Sequence, residues 1–211
     1  MSDAKGAVYR LRRTPWLLRY GTARSLAWRW RRRKLHFLHN HLDVVIGEGT
    51  VIGPRFDLWI PAPATLHIGN NCEMRRDFSC EISPGGRVEI GHNVIFTTGT
   101  LIQISTSLDI GPHAVFAQSV LIADGNHRFR DSSKNMLEQG YDFRPITIGA
   151  NAFISSKCTI LNSVGEGAII GAGSVVTKPI PPYCVAVGAP AKVIEYFGPP
   201  DQRPDGLPDG V

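Results

Sequence analysis

The sequence has no long hydrophobic run, and this absence limits how the chain could associate with a membrane. No apolar stretch among its 211 residues approaches the roughly 20 residues that a membrane-spanning helix requires. The first residues are charged, but no apolar segment with a small-residue cleavage site follows them, so we expect no signal peptide. The length is sufficient for one compact domain with a core of its own.

Cysteine is scarce, and its spacing does not indicate a zinc site. The four cysteines, Cys72, Cys80, Cys158 and Cys184, form no CxxC pair. Cys72 and Cys158 each lie four residues after an isoleucine of the repeat described below, at a position where small residues recur. We therefore interpret them as reduced core residues, which are typical of a cytoplasmic protein.

Acidic residues are almost missing from the first 40 positions. Nine arginines and two lysines stand there against one acid, Asp3, so this segment has a net charge of +10. The whole chain carries +5, and the remaining residues therefore sum to −5. Residues 9–40 have a helix-forming composition in which tryptophans, leucines and arginines are mixed. The sequence thus predicts a basic helical arm in front of a mildly acidic body, with a break near Gly21.

Three interpretations of this arm are open. Residues 9–34 could lie on an anionic membrane surface, because basic helices rich in tryptophan favour the lipid interface. The arm could instead pack against the body or against a neighbouring subunit, with its arginines in solvent. Binding to nucleic acid is disfavoured, since the chain has no recognised nucleic-acid motif and its body is acidic.

A repeat of six residues begins at Ile46 and is most regular between Ile146 and Ile194. Each unit starts with Ile or Val, usually followed by Gly, and has a small residue four positions after the aliphatic one. In the regular part the aliphatic positions are Ile148, Ile154, Ile160, Val164, Ile170 and Val176, and the small positions are Ala152, Cys158, Ala168 and Ser174. This period fits neither an amphipathic helix nor a long alternating strand. It predicts an all-β helix of about six coils with three units each, in which glycine supplies positive φ at the corners.

The spacing of the aliphatic–Gly pairs predicts where the coils are interrupted. The steps from Ile68 to Ile90 and from Ile90 to Ile110 are slightly longer than three regular units, so small bulges are expected at corners. The step from Ile122 to Ile148 exceeds four units, which is too long for a bulge. The predicted segments are a basic helical arm (residues 1–42), the repeat domain (43–194) with a projecting loop (128–144), and a Pro- and Gly-rich tail (195–211) that does not pack.

The closing signature of the repeat, IGAGSVVTK followed by IPPY and VGAPAKVI, resembles that of the hexapeptide-repeat acyltransferases. The order of LIADGNHRF, a polar loop containing LEQG, and RPITIG is most similar to the O-acetyltransferases of cell-surface sugars. The resemblance implies a left-handed parallel β-helix, a homotrimer, and acetyl-CoA-dependent transfer to a sugar hydroxyl in polysaccharide or glycolipid synthesis. We expect a cytoplasmic enzyme, with peripheral contact at the inner face of the membrane through its arm.

The resemblance also assigns roles to individual residues. His127 coincides with the catalytic histidine of the family, whereas many relatives carry a second histidine where this chain has Gly125. An imidazole titrates near neutral pH and could serve as the general base for a poorly nucleophilic sugar hydroxyl. Ser156 is expected near the oxyanion of the acyl transfer. The residues expected to contact coenzyme A are Ala172, Thr177, Lys178 and Lys192.

Three other functions compete with this one. A γ-type carbonic anhydrase would share the fold and hold zinc on three histidines. The histidines of this chain contain no H-x4-H pair, so we expect no metal; they are His36, His39, His41, His67, His92, His113 and His127. An antibiotic O-acetyltransferase would differ only in its acceptor. A non-catalytic scaffold subunit would neither bind coenzyme A nor cleave its thioester.

Overall fold

The chain folds into a parallel β-helix with three flat faces, in a computed structural model that describes residues 23–39, 42–61, 63–205 and 207. The strands of the first face are β1 (Asp43–Ile46), β4 (Thr65–Ile68), β7 (Arg87–Ile90), β10 (Ser107–Ile110) and β15 (Ile146–Ile148). Those of the second face are β2 (Val51–Ile52), β5 (Glu73–Met74), β8 (Ile95–Phe96), β11 (Val115–Phe116), β16 (Phe153–Ile154), β18 (Ile169–Ile170) and β20 (Cys184–Val187). Those of the third face are β3 (Asp57–Trp59), β6 (Ser79–Ile82), β9 (Leu101–Ile104), β12 (Leu121–Ala123), β17 (Thr159–Ile160) and β19 (Val175–Val176).

The register of the strands confirms the coil lengths expected from the repeat. On the first face Val44 pairs with Leu66, Leu66 with Val88, and Val88 with Leu108, and each of these steps is slightly longer than three regular units. The next step, from Leu108 to Ile146, is far longer because it contains the insertion. The last two steps are shorter than three units, and in them the first-face strand shrinks to single bridging residues, Val164 and Ile180. The described part of the chain therefore forms six coils, followed by the beginning of a seventh.

The core of the helix consists of inward-facing columns. All of the aliphatic and small positions identified between Ile148 and Val176 are buried, with relative exposures of 0–1%. Three phenylalanines on successive coils are in contact: Phe78 meets Phe96 edge to face with a centroid distance of 5.1 Å, and Phe96 stacks on Phe116 at 4.5 Å. Stacked coils bury the same face of every unit against the next one, which is how repeat proteins build a continuous core.

Glycine was expected to supply positive φ at the corners, and it does so at corner positions such as Gly49 (70°) and Gly173 (72°). The glycines that directly follow the aliphatic residues have another role. Their φ angles are ordinary; a Cβ on Gly91 would lie 2.7 Å from the Pro112 nitrogen, and one on Gly111 would lie 2.5 Å from the Ala150 nitrogen. These glycines are needed because the backbones of successive coils approach closely. Positive φ occurs two positions later, largely at residues other than glycine, such as Asn71 (56°) and Asn93 (58°).

The insertion is more ordered than the sequence suggested. Two strands, β13 (Gly125–His127) and β14 (Tyr141–Phe143), form an antiparallel hairpin, and a 3₁₀ helix (Met136–Glu138) lies within the connecting segment. The predicted loop (128–144) therefore begins too late, because the hairpin already starts at Gly125. His127 belongs to the hairpin and does not end the coil, because β12 stops at Ala123.

The two ends of the β-helix are covered by other elements. Helix α1 (Ala23–Leu38) lies on the first coil and buries Leu35, and the break expected at Gly21 falls outside the described residues. No helix in the described residues is long and apolar enough to cross a bilayer. At the other end β21 (Lys192–Tyr196) pairs antiparallel with β20. The tail was expected not to pack, but Leu207 lies against the core. Before it, the hydroxyl of Tyr196 donates a hydrogen bond of 2.6 Å to the Pro199 carbonyl, and Pro200–Gln202 forms a 3₁₀ turn.

Candidate active site

His127 lies on the first strand of the hairpin, opposite Tyr141. The centroids of the two rings are 4.3 Å apart, with a tilt of 42°. Nδ1 of His127 is buried and has no hydrogen-bond partner in the described part of the chain. The imidazole is thus held by packing, while one of its nitrogens retains a free hydrogen-bonding position. An unpaired buried nitrogen costs free energy, and such unsatisfied groups are often found at functional sites.

Gly125 lies beneath the ring of Phe143, its partner across the hairpin. A Cβ at this position would overlap two carbons of that ring. A larger residue at this position would require the ring of Phe143, which is 45% exposed, to move aside. Of the two positions in this motif, only His127 carries an imidazole in this chain.

Asp124 anchors the hairpin to the preceding coil and was missed in the sequence. Its buried carboxylate accepts hydrogen bonds from the Ser105 amide (2.9 Å), the Thr106 amide (2.6 Å) and the Thr106 hydroxyl (2.6 Å). Its carbonyl accepts the amide of Arg144, where the hairpin returns to the coils. The sequence feature that could have revealed this anchor is an aspartate at the end of a regular unit, three positions before the histidine.

Two cavities meet at His127. The larger, of about 720 Å³, lies between the hairpin and the later coils and is also lined by Leu161 and Thr177. The smaller, of about 330 Å³, lies against the earlier coils and is lined by Trp59, Glu81 and Gln103. Asn126 and His127 line both cavities. A group bound on each side could therefore reach the same imidazole.

Charged side chains surround the larger cavity. Arg128 is paired with Asp142 at 2.7 Å, and Lys134 with Asp131 at 3.0 Å. Hydrogen bonds from Ser133 and then Lys134 hold the pKa of Asp131 below its ordinary value. Arg144 also lines the cavity. The wall contains four basic and four acidic residues, so its formal charges balance.

The structure brings together only part of the expected site. Thr177 lines the larger cavity with His127. Ser156 lines neither cavity; it lies at a corner between the second and third faces and donates a hydrogen bond of 2.7 Å to Oε1 of Gln118. Ala172, Lys178 and Lys192 are exposed on the later coils and also lie outside both cavities.

The cysteines are core residues, as the repeat predicted. All four thiols are free and buried. Burial raises the pKa of the Cys158 thiol and raises that of Cys80 to about 12. Neutral buried thiols are poor nucleophiles, so the geometry offers no cysteine for a covalent acyl intermediate. Across the described residues, no three His, Cys, Asp or Glu side chains are grouped so that they could hold a metal ion.

Comparison with known sequences identifies the family, although no family model matches the chain. The galactoside O-acetyltransferase of Escherichia coli is 35% identical over 178 residues, which cover 79% of this chain and 77% of the relative. A probable acetyltransferase of Mycobacterium tuberculosis, Rv3034c, is 30% identical over 189 residues. That alignment covers 86% of this chain, which spans only 58% of the length of the mycobacterial protein.

Solved structures show the same architecture. AntD, an N-acyltransferase from Bacillus cereus in complex with a dTDP-amino sugar and coenzyme A, matches with a TM-score of 0.63 at 19% identity, over 80% of this chain and 90% of AntD. A hexapeptide-repeat acetyltransferase of Vibrio cholerae, VCA0836, in complex with acetyl-CoA, matches with a TM-score of 0.56 at 17% identity, over 80% and 79%. The coils thus form a left-handed parallel β-helix. The chain belongs to the hexapeptide-repeat acetyltransferases.

Proposed function

We propose that the protein transfers an acetyl group from acetyl-CoA to a hydroxyl group of a sugar, with His127 as the general base. The observation that carries this proposal is the position of His127 between two cavities, each of which could hold one substrate. The galactoside O-acetyltransferase relative supports a sugar acceptor and an oxygen nucleophile. AntD, which is named for N-acyl transfer, is a much more distant relative by sequence.

In the proposed reaction the two substrates react directly. The imidazole of His127 takes the proton of the acceptor hydroxyl as the oxygen attacks the thioester carbonyl. The tetrahedral intermediate then collapses, the C–S bond breaks, and the imidazolium returns the proton to the leaving thiolate. The products are the acetyl ester and free coenzyme A. No acetyl-enzyme is required, in keeping with the burial of all four cysteines.

The larger cavity is assigned to acetyl-CoA. Leu161 and Thr177 of the later coils line it. On those same coils, outside the cavity, the resemblance places Ala172, Lys178 and Lys192 beside the coenzyme. A lysine offers a point charge to a phosphate group, and both lysines are exposed and available for that contact. AntD and VCA0836 were solved in complex with coenzyme A and acetyl-CoA, respectively, which supports binding of the coenzyme by this architecture.

The smaller cavity is assigned to the acceptor. Trp59 and Tyr141 expose 57% and 45% of their surface at its rim, and Gln103 donates a hydrogen bond of 2.9 Å to Glu81 within it. Aromatic faces with nearby amide and carboxylate groups can bind the apolar and polar sides of a sugar ring. An antibiotic with a free hydroxyl is the second candidate acceptor, because the same groups would hold it.

A homotrimer remains part of the proposal. Ser156 and His127 lie apart within one chain, so a serine that assists the oxyanion would have to come from a neighbouring subunit. The flat faces of a β-helix suit cyclic packing of this kind. The proposed setting is polysaccharide or glycolipid synthesis in the cytoplasm, where sugar acceptors are modified before export.

Steady-state kinetics with binding measurements test the base. His127→Ala should lower turnover by about 10²–10⁴-fold while the affinity for coenzyme A changes little. Lys178→Ala should instead weaken coenzyme binding more than it slows turnover. His113→Asn serves as the control, because His113 is an exposed corner residue with a φ of 61° that asparagine tolerates. Near-normal turnover of His127→Ala would refute the mechanism, and failure of the wild-type protein to bind coenzyme A would favour the scaffold alternative.

A further inference from the structure

The two sides of α1 differ in their contacts. One side faces the first coil, where Leu35 is buried and two arginines donate hydrogen bonds to backbone carbonyls. Nη1 of Arg31 bonds to the carbonyl of Ile52 at 3.2 Å, and Nη2 of Arg32 bonds to that of Ile46 at 2.8 Å. These contacts fix the rotation of the helix about its axis. They therefore determine which residues of α1 face away from the first coil.

The opposite side carries a row of large apolar residues, which we call the apolar stripe: Leu26, Trp30 and Phe37. They recur at i, i+4 and i+11, a spacing that places them on one side of an α-helix. Their exposed fractions are 67%, 65% and 77%. The stripe runs for about 16 Å along the axis. Three large apolar side chains this exposed, in one line, mark an interaction surface.

Cations border the apolar stripe. Arg29 and Arg33 lie on one edge and are exposed, and Lys34 lies on the other, with Nζ 5.7 Å from the ring centroid of Trp30. Ala23–Leu38 contains six basic residues and no acid. The bound partner must therefore accept apolar side chains and offer negative charge at the same surface.

We propose that the apolar stripe and its bordering cations dock on the surface of an anionic membrane. Lipid headgroups supply negative charge beside an apolar interior, which matches tryptophan, phenylalanine and leucine flanked by arginine and lysine. Pairing of α1 with α1 of a second copy would bring two sets of cations together without an acid on either helix. A nucleic acid would neutralise the cations but would leave the stripe in water. This membrane-docking proposal does not depend on the acetyl transfer proposed above.

Vesicle flotation of the full chain tests this surface. The protein should float with vesicles of phosphatidylcholine and phosphatidylglycerol, should not float with phosphatidylcholine alone, and should be released by raised salt. The triple change Leu26→Ser, Trp30→Ser, Phe37→Ser and the double change Arg29→Glu, Arg33→Glu should each lower the partition coefficient at least tenfold. Matched controls are Ile194→Ser and Arg76→Glu, which alter an apolar and a basic residue exposed elsewhere on the described surface.

Each alternative gives a distinct result. Equal binding to neutral vesicles would overturn the electrostatic part of the proposal, and unchanged flotation of both α1 variants would assign lipid binding to another segment. A change in oligomeric state of the triple variant, without wild-type flotation, would identify a second copy as the partner. Circular dichroism in the far ultraviolet and thermal unfolding establish that each variant is folded before it is compared.

Discussion

Asp124 accepts a hydrogen bond of 2.6 Å from the hydroxyl of Thr106, and this bond ties the base of the hairpin to the coil beneath it. The same carboxylate oxygen accepts the amide of Thr106, also at 2.6 Å. Asp124 exposes only 3% of its surface, and Thr106 is partly buried. We expect the orientation of His127, three positions further on, to depend on this anchor.

Asp124→Ala should therefore lower both stability and turnover. The change leaves the amides of Ser105 and Thr106 without their acceptor, and each such buried donor costs about 1–3 kcal/mol. Urea unfolding at a fixed protein concentration measures the loss. Asp142→Ala is the control, because its exposed ion pair with Arg128 is worth about 0–1 kcal/mol. Equal unfolding midpoints for the two variants would show that Asp124 is not an anchor.

Gly111→Ala should destabilise the coil stack more than a glycine replacement at an open corner. The added methyl group would lie 2.5 Å from the Ala150 nitrogen, so two neighbouring backbones must separate. Gly85→Ala is the comparison, since Gly85 has a φ of 78° but nothing within 4 Å of its added Cβ. We expect an excess loss of about 1–3 kcal/mol at Gly111, measured by thermal unfolding. A larger loss at Gly85 would mean that corner conformation, and not coil spacing, sets the need for glycine.

The buried cysteines should make the stability fall at high pH. Burial raises the pKa of Cys80 to about 12 from its ordinary value of 9.0, so the folded protein binds this proton more tightly than the unfolded chain does. The contribution is complete below the ordinary pKa and is lost as the pH rises toward the raised one. Urea midpoints measured across the alkaline range should fall more steeply for the wild-type protein than for Cys80→Ala. Parallel slopes would contradict this.

Trp59 and Gln103 should affect the acceptor and not the coenzyme. Both line the smaller cavity, and neither lines the larger one. With a sugar acceptor, Trp59→Ala and Gln103→Ala should raise its KM about tenfold and leave the KM for acetyl-CoA unchanged, while Trp59→Tyr should restore part of the affinity. Glu48→Ala, at an exposed corner of the first coil, is the control. A rise in the KM for acetyl-CoA alone would reverse the assignment of the two cavities.

The coil lengths and the core could be predicted because one constraint recurs along the chain. Each aliphatic residue such as Ile154 or Ile170 meets its equivalent in the next coil, so a single pattern carries both burial and register. The hairpin could not be predicted, because its strands are very short and Gly125–His127 shows no alternation of apolar and polar residues. Asp124 also escaped prediction, since its bonding partners lie in the preceding coil.

The repeat located the glycines correctly but did not show why each one is needed. Sequence alone does not distinguish a residue needed for positive φ from one needed for a close backbone approach, and Gly111 is of the second kind. Ser156 shows a different limit. It was expected to assist the oxyanion near His127, and only a neighbouring subunit could bring a serine there. Within the described chain its hydroxyl donates a hydrogen bond to Gln118.

The insertion leaves the stack of coils unchanged on both sides. Leu108 pairs with Ile146 as regularly as Val88 pairs with Leu108. The insertion lies between Leu108 and Ile146, whereas only one uninterrupted coil lies between Val88 and Leu108. The two ends of the insertion meet where the Arg144 amide bonds to the Asp124 carbonyl at 2.9 Å. A segment closed in this way can change in length at a small entropic cost. We therefore expect the hairpin to be an exchangeable module: grafting a different hairpin onto the same coils should leave the stack intact and, if the proposed site is right, change the substrate range.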